Sequence, residues 1–290
     1  MSFPEGVSNH FSDGEREKEP LPRRLVVKCG TKNLCRPNNG GKLAEETFDD
    51  YARQVVELQR RGVEVIVVSS GAIKAGREKL EELGLNVSNC DKQVLAAVGQ
   101  SFLMERWNKA FEKFGKTTGQ LLVTFTNWSN ERERSEVLQC ILDILKSGQT
   151  PIINENDPVS DKEIKLMERR ISENDQLAKM IARKVGADAI LFLTDEGGIY
   201  TADPKVDSSA QLYEEINMRD RLADLIGSSK NTSNESGTGG MAAKLKEALR
   251  CAKEGLRVAV AGREENVILK FAKGELVGTR IGIATKIKEN

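Results

Sequence analysis

The chain has 290 residues, enough for one large α/β domain or two small ones, with 44 Lys and Arg balanced by 44 Asp and Glu. A formal net charge of zero offers no electrostatic footprint for nucleic acid or an anionic membrane, and no apolar run approaches the roughly 20 residues that a membrane helix needs. The one histidine is His10, in a polar, proline-punctuated N-terminal stretch, which excludes histidine acid–base chemistry and histidine metal sites from the folded part. The five cysteines, Cys29, Cys35, Cys90, Cys140 and Cys251, are scattered and form no C-x-x-C. Incidental or buried thiols in a reducing cytoplasm fit that pattern better than a metal or redox site.

Residues 1–22 lack the apolar core of a signal peptide and read as a mobile extension. From residue 23 the chain alternates strand and helix signals, with no repeat and no internal linker, so 23–290 is expected to form one domain. Strands are predicted at 24–28, 63–68, 120–124, 150–153, 189–193 and 257–261, where short apolar, β-branched runs are bounded by small residues. Helices are predicted at about 43–61, 92–114, 131–147, 173–185 and 240–254. In the last, Met241, Leu245, Ala248, Leu249 and Ala252 share a face and Gly255 ends it. Continuous apolar strands joined by helices predict an α/β fold, a three-layer αβα sandwich around a mainly parallel sheet. Segments 158–172 and 203–238 are polar and irregular and are expected to form loops or hairpins over the site.

Ligands gather at the carboxyl ends of strands in such sheets. The residues there are Lys28-Cys29-Gly30-Thr31, Ser69-Ser70-Gly71, Asn154-Glu155-Asn156-Asp157 and Thr194-Asp195, a polar, small-residue rim with no serine–histidine or cysteine–histidine pair. The stretch SGTGGMAAK at 236–244 adds a second lysine, Lys244, in the first turn of a predicted helix. A cation there opposes the helix dipole unless an anion shares the place. A Walker A loop needs glycine directly before the lysine, and Ala243 stands there. The G-x-G-x-x-A match needs a strand upstream, and SSKNTSNES is polar. An anion held by glycine-loop amides and Lys244 is the reading that remains beside a plain flexible loop.

VVKCG, VVSSGAIKAG, KQVLAAVGQ, INENDPV, SENDQLA, LFLTDEGGIYTADPK and SGTGGMAAK occur in the order seen in the amino acid kinase family, which the chain resembles from residue 24 to about 282. INEND together with YTADP and GTGGM is most similar to the branch that phosphorylates the γ-carboxylate of L-glutamate, rather than to aspartokinase, acetylglutamate kinase or uridylate kinase. The resemblance implies a cytoplasmic homo-oligomer, dimer or tetramer, that uses ATP with Mg²⁺ and opens proline synthesis, with proline as a feedback inhibitor. It implies that Lys28 contacts the transferring phosphoryl group, Lys244 is its partner on the nucleotide side, and Asp175 orients both. Ser70, Asp157 and Asn174 match positions that hold glutamate. Thr194, Asp195, Thr238, Gly239, Gly240, Met241 and the two lysines match the nucleotide site, and no residue matches a metal ligand.

Structural readings stand beside these roles. Ser70 could cap the helix that begins near Gly71, Asp157 and Asp195 could be turn residues, and Asp175 a first-turn helix acid. The chain also departs from the family pattern at Lys32, at Lys74 and in SEND, which replaces GDND after a longer segment, and by that resemblance the extra C-terminal domain of many bacterial relatives is expected to be absent. Lys32 and the altered SEND loop keep a non-catalytic amino-acid-sensing or nucleotide-binding relative open as a rival, and a kinase of another small carboxylate or carbamate stands beside it.

Overall fold

The computed structural model describes residues 19–36, 40–159, 173–217 and 241–282. Its strands are β1 (Arg24–Cys29), β2 (Glu64–Ser69), β3 (Thr118–Val123), β4 (Thr150–Glu155), β5 (Ala189–Leu193), β6 (Glu215–Asn217), β7 (Arg257–Ala261) and β8 (Thr279–Gly282). Helices among the described residues are α1 (Thr31–Leu34), α2 (Glu45–Arg60), α3 (Ala72–Glu82), α4 (Lys92–Glu112), α5 (Phe125–Ser129), α6 (Glu131–Lys146), α7 (Glu173–Lys184), α8 (Met241–Lys253) and α9 (Val267–Ala272). The strands make one sheet in the order β3-β4-β2-β1-β5-β7-β8-β6. All neighbours pair in parallel except β7 with β8, so the sheet is mainly parallel, as the sequence predicts.

Strand parity divides the core into two layers. Leu25 and Val27 of β1 join a cluster with Val65 and Val67 of β2, built with α2, α4 and α9. Val26 of β1 and Ile66 and Val68 of β2 face the other way, toward Leu177, Ala178 and Ile181 of α7 and Leu245, Ala248 and Leu249 of α8. The result is the three-layer αβα sandwich. Because side chains alternate along a strand, Lys28 shares the face of Val26, and Ser70, next after β2, follows Val68. Both therefore lie on the α7 side of the sheet.

Six strands and five helices agree with the sequence reading to within about two residues. The short β6 and β8 were not foreseen. TRIG at 279–282 is too short and too polar to carry a strand period, and β6 lies inside the segment read as irregular. Helices α3 and α4 pack at a pair of glycines: a Cβ on Gly76 would stand 1.9 Å from the Leu95 carbonyl oxygen, and one on Gly99 1.9 Å from that of Ala72. At the other edge, Glu19 pairs with Arg257 at 2.5 Å and with Arg280, which ties residue 19 across β7 and β8. Among the described residues no helix is long and apolar enough to cross a membrane.

Candidate active site

Burying a Val, Ile or Leu side chain contributes about 1.5–3 kcal/mol, whereas an unpaired buried charge costs several. Lys28, 3% exposed in the side chain, is held only because its Nζ meets Asp175 Oδ1 at 2.6 Å. Asp175 sits in the first turn of α7, so the strand parity that aims Lys28 at α7 brings the two together. Lys244, in the first turn of α8, meets the other carboxylate oxygen at 3.3 Å. One buried carboxylate thus bridges two ammonium groups, and Lys244, at 16%, keeps its access to solvent.

Burial alone would raise the Asp175 carboxyl, but the charges of Lys28 and Lys244 outweigh it and hold the group below the usual carboxylate range. Burial pushes the Lys28 ammonium down from its ordinary value, Asp175 opposes that, and Lys244 adds to the lowering. The helices carrying this bridge are themselves locked. Glu247 of α8, fully buried, takes Lys179 of α7 at 2.5 Å and Arg250 at 2.5 Å.

Beside the bridge, Asn174 Nδ2 donates to Ser70 Oγ at 2.8 Å and to Asn154 Oδ1 at 3.1 Å. Ser70 is not a helix cap: Gly71 takes that position in α3 at φ 117°, a left-handed conformation that favours glycine, and no side chain caps the helix. The Ser70 backbone N–H donates to the Cys29 carbonyl at 2.9 Å, fixing it against the lysine strand. Asp157 lies half-buried in the turn directly after β4. Lys74 stands 3.8 Å from Glu78, and Lys32 is exposed.

On the other side of β1, Thr194 and Asp195 follow β5. The Thr194 N–H donates to the Ala261 carbonyl at 2.8 Å, while Lys205 reaches Asp195 at 3.5 Å and Glu196 at 2.8 Å. Met241 opens α8. Thr238, Gly239 and Gly240 lie outside the described residues, as do 160–172.

Several residues that build this site carry no sequence signal of their own. Asn33 of α1, fully buried, donates to the Thr194 carbonyl at 3.0 Å and accepts from the Tyr51 hydroxyl at 2.7 Å, tying the turn after β1 to the turn after β5. Trp107 Nε1 donates to Ser69 Oγ at 3.0 Å, and Ser69 Oγ in turn to the Ser70 carbonyl. A buried polar side chain on a helix looks like a surface residue in a sequence, and only packing separates them.

The arrangement can hold two anions on either side of β1 and supply positive charge between them. Such an arrangement suits the transfer of a charged group onto a nucleophile that is itself anionic, where positioning and charge stabilisation carry most of the chemistry.

Residues 23–262 match the model of the amino acid kinase family. The chain is 40% identical over 258 residues to a glutamate 5-kinase of Thermoanaerobacter sp. (strain X514), covering 88% of this chain and 67% of that protein. It is 38% identical to the glutamate 5-kinase of Azoarcus sp. (strain BH72), over 91% of this chain and 69% of that one. Among solved structures, UMP kinase from Bacillus anthracis aligns with a TM-score of 0.59 at 19% identity, over 91% of this chain and 97% of that one. Carbamate kinase from Giardia lamblia bound to AMP-PNP aligns with a TM-score of 0.60 at 15% identity, over 90% and 98%. The structural likenesses carry the fold.

Proposed function

The chain belongs to the amino acid kinase family, and from that premise we propose that it transfers the γ-phosphoryl group of ATP to the γ-carboxylate of L-glutamate, the first step of proline synthesis. Among the rivals, a non-catalytic sensor is disfavoured by the intact bridge, and a different carboxylate by the glutamate 5-kinase identity over about nine tenths of the chain. The observation that carries the reading is the Asp175 carboxylate shared by Lys28 and Lys244 at the carboxyl edge of the sheet.

A γ-carboxylate oxygen attacks the γ-phosphorus, the bond to the β-phosphate oxygen breaks, and ADP departs. The attacking group is already an anion, so no proton has to move and no general base is required. Charge spreads over the equatorial oxygens in the transition state. Lys28 meets it from the sheet and Lys244 from the nucleotide side, while Asp175 holds the two ammonium groups in place before substrate arrives. Ser70, Asp157 and Asn174 take the amino acid. A carboxylate at Asp157 suits the α-ammonium, which the Asn174 carbonyl oxygen can share, and the Ser70 hydroxyl suits hydrogen bonding to the rest of the substrate. Thr194, Asp195, Thr238, Gly239, Gly240 and Met241 take the nucleotide.

Among the described residues no group of three or more His, Cys, Asp or Glu side chains is placed to hold a metal ion. Mg²⁺ would accompany the nucleotide and help neutralise the charge of its phosphates. The free thiols of Cys29, Cys35, Cys90, Cys140 and Cys251 suit a reducing, cytoplasmic setting, and a homo-oligomer, dimer or tetramer, is part of the same proposal.

The test is ADP release with L-glutamate against L-aspartate, N-acetylglutamate and UMP. Glutamate is expected to exceed each of the others in kcat/KM by at least about a hundredfold, well within what a site that hydrogen-bonds its substrate can discriminate. A preference for any of the others overturns the assignment. L-Proline, which shares the substrate's α-amino and α-carboxylate end, is expected to inhibit in competition with glutamate and not with ATP. A glutamate titration at several proline concentrations checks this, and inhibition that saturating glutamate leaves in place would mean a separate regulatory site.

A further inference from the structure

Three amides run in line from α4 to the amino-acid half of the site, and chemistry fixes how each is turned. The Glu155 backbone N–H can only donate, so the Asn154 atom 2.9 Å from it is the carbonyl oxygen. That same oxygen accepts from Asn174 Nδ2 at 3.1 Å. Asn154 Nδ2 must then point the other way, where it donates to Gln100 Oε1 at 3.0 Å. Asn174 Nδ2 also donates to Ser70 Oγ at 2.8 Å, which spends both of its N–H groups.

Two polar atoms are left over. Asn174 Oδ1 and Gln100 Nε2 are buried with no hydrogen-bond partner among the described residues. An unfilled carbonyl acceptor on Asn174, beside Ser70 and near the turn of Asp157, is matched to a donor such as the α-ammonium of an amino acid. Among the described residues the donor end of Gln100 has no partner, so the contact it contributes here is the one made by its acceptor end. Gln100 is 9% exposed and Asn154 2%, so neither can turn to water for a substitute partner.

We propose that Gln100, through its carbonyl contact with Asn154 Nδ2, is a positioning residue that holds Asn174 with its carbonyl oxygen free for the substrate's α-ammonium. The inference rests on the glutamate kinase reading and adds to it a residue that touches neither substrate nor phosphate. Without an acceptor at position 100, the Asn154 amide nitrogen is a buried orphan. Rotating the amide to relieve it would set Asn154 N–H groups against the Glu155 N–H and Asn174 Nδ2. Asn174 would turn in response and offer N–H groups to an ammonium.

The experiment compares Gln100→Met, which keeps length and removes the acceptor, with Gln100→Glu, which keeps an acceptor in either protonation state. Gln100→Met should raise the glutamate KM about tenfold or more, with kcat and the ATP KM changed less than about twofold. Gln100→Glu should recover most of that loss. Should Gln100→Met fail to melt cooperatively, Gln100→Asn, which draws the carbonyl back by one methylene, carries the same expectation. An unmoved glutamate KM in a folded variant overturns the proposal, as does an equal rise in both KM values or a Gln100→Glu enzyme as impaired as Gln100→Met. A wild-type chain without glutamate turnover would instead overturn the underlying reading, whereas an active wild type with an unmoved Gln100→Met KM removes only the role of Gln100.

Discussion

Lys28→Met and Lys244→Ala should each lower kcat by about 10²–10³, the effect of removing one preorganised group that meets developing charge. The two should differ in what else they disturb. Lys28 is buried against Asp175 at 2.6 Å, and removing one member of a buried pair leaves an uncompensated charge, a loss of about 3–5 kcal/mol where no other partner exists. Here Lys244 remains 3.3 Å from the same carboxylate, so Lys28→Met should lose less than that and still fold. Lys244 is more exposed, and Lys244→Ala should leave the melting temperature almost unchanged. Steady-state kinetics beside thermal melts separate the two effects. Near-normal kcat in either folded variant would remove the lysine bridge from the chemistry.

Gly99→Ala should destabilise the chain by about 3 kcal/mol, at the upper end of what overpacking costs, and lower its melting temperature by roughly 6 °C or more. Its added Cβ would lie 1.9 Å from the Ala72 carbonyl oxygen and 2.2 Å from the Gly76 backbone nitrogen. These are backbone atoms, so no rotamer change relieves the clash and α3 and α4 must move apart. Gly76→Ala meets the Leu95 carbonyl oxygen at the same distance and should behave alike. Ser101→Ala, on the exposed side of the same helix, is the control and should change the melt little. Because α3 begins directly after Ser70 and α4 carries Gln100, a folded Gly99→Ala should also weaken glutamate more than ATP. A melt indistinguishable from wild type would show that the two helices are not packed at these glycines.

The strand-end residues were legible because parallel sheets gather ligands at one edge, and the apolar runs located the strand ends to within a residue or two. Strand parity accounts for why Lys28 and Ser70 lie on one side of the sheet, but which helix they meet there depends on α7 packing over β1 and β2. Asp175 could be named through a motif, whereas its function as a bridge between Lys28 and Lys244 needs two helices side by side. Those helices are joined by Glu247 and Lys179, two charged residues that read as solvent-facing. Gln100, Asn33 and Tyr51 were illegible for the same reason: each is a single polar residue whose partner lies between 18 and 161 positions away in sequence. The reversed β8 escaped because four residues, two of them Thr and Arg, show no period.

The central claim is that this site moves a phosphoryl group from ATP onto the side-chain carboxylate of glutamate, and trapping the acyl phosphate tests it most directly. With ATP, Mg²⁺, L-glutamate and hydroxylamine present, an acyl phosphate is converted to a hydroxamate, which can be counted against ADP. The account predicts γ-glutamyl hydroxamate in step with ADP in the wild type, and both falling together by about 10² or more in Lys244→Ala. ADP formed without hydroxamate, or hydroxamate formed at an equal rate by Lys244→Ala, would contradict it.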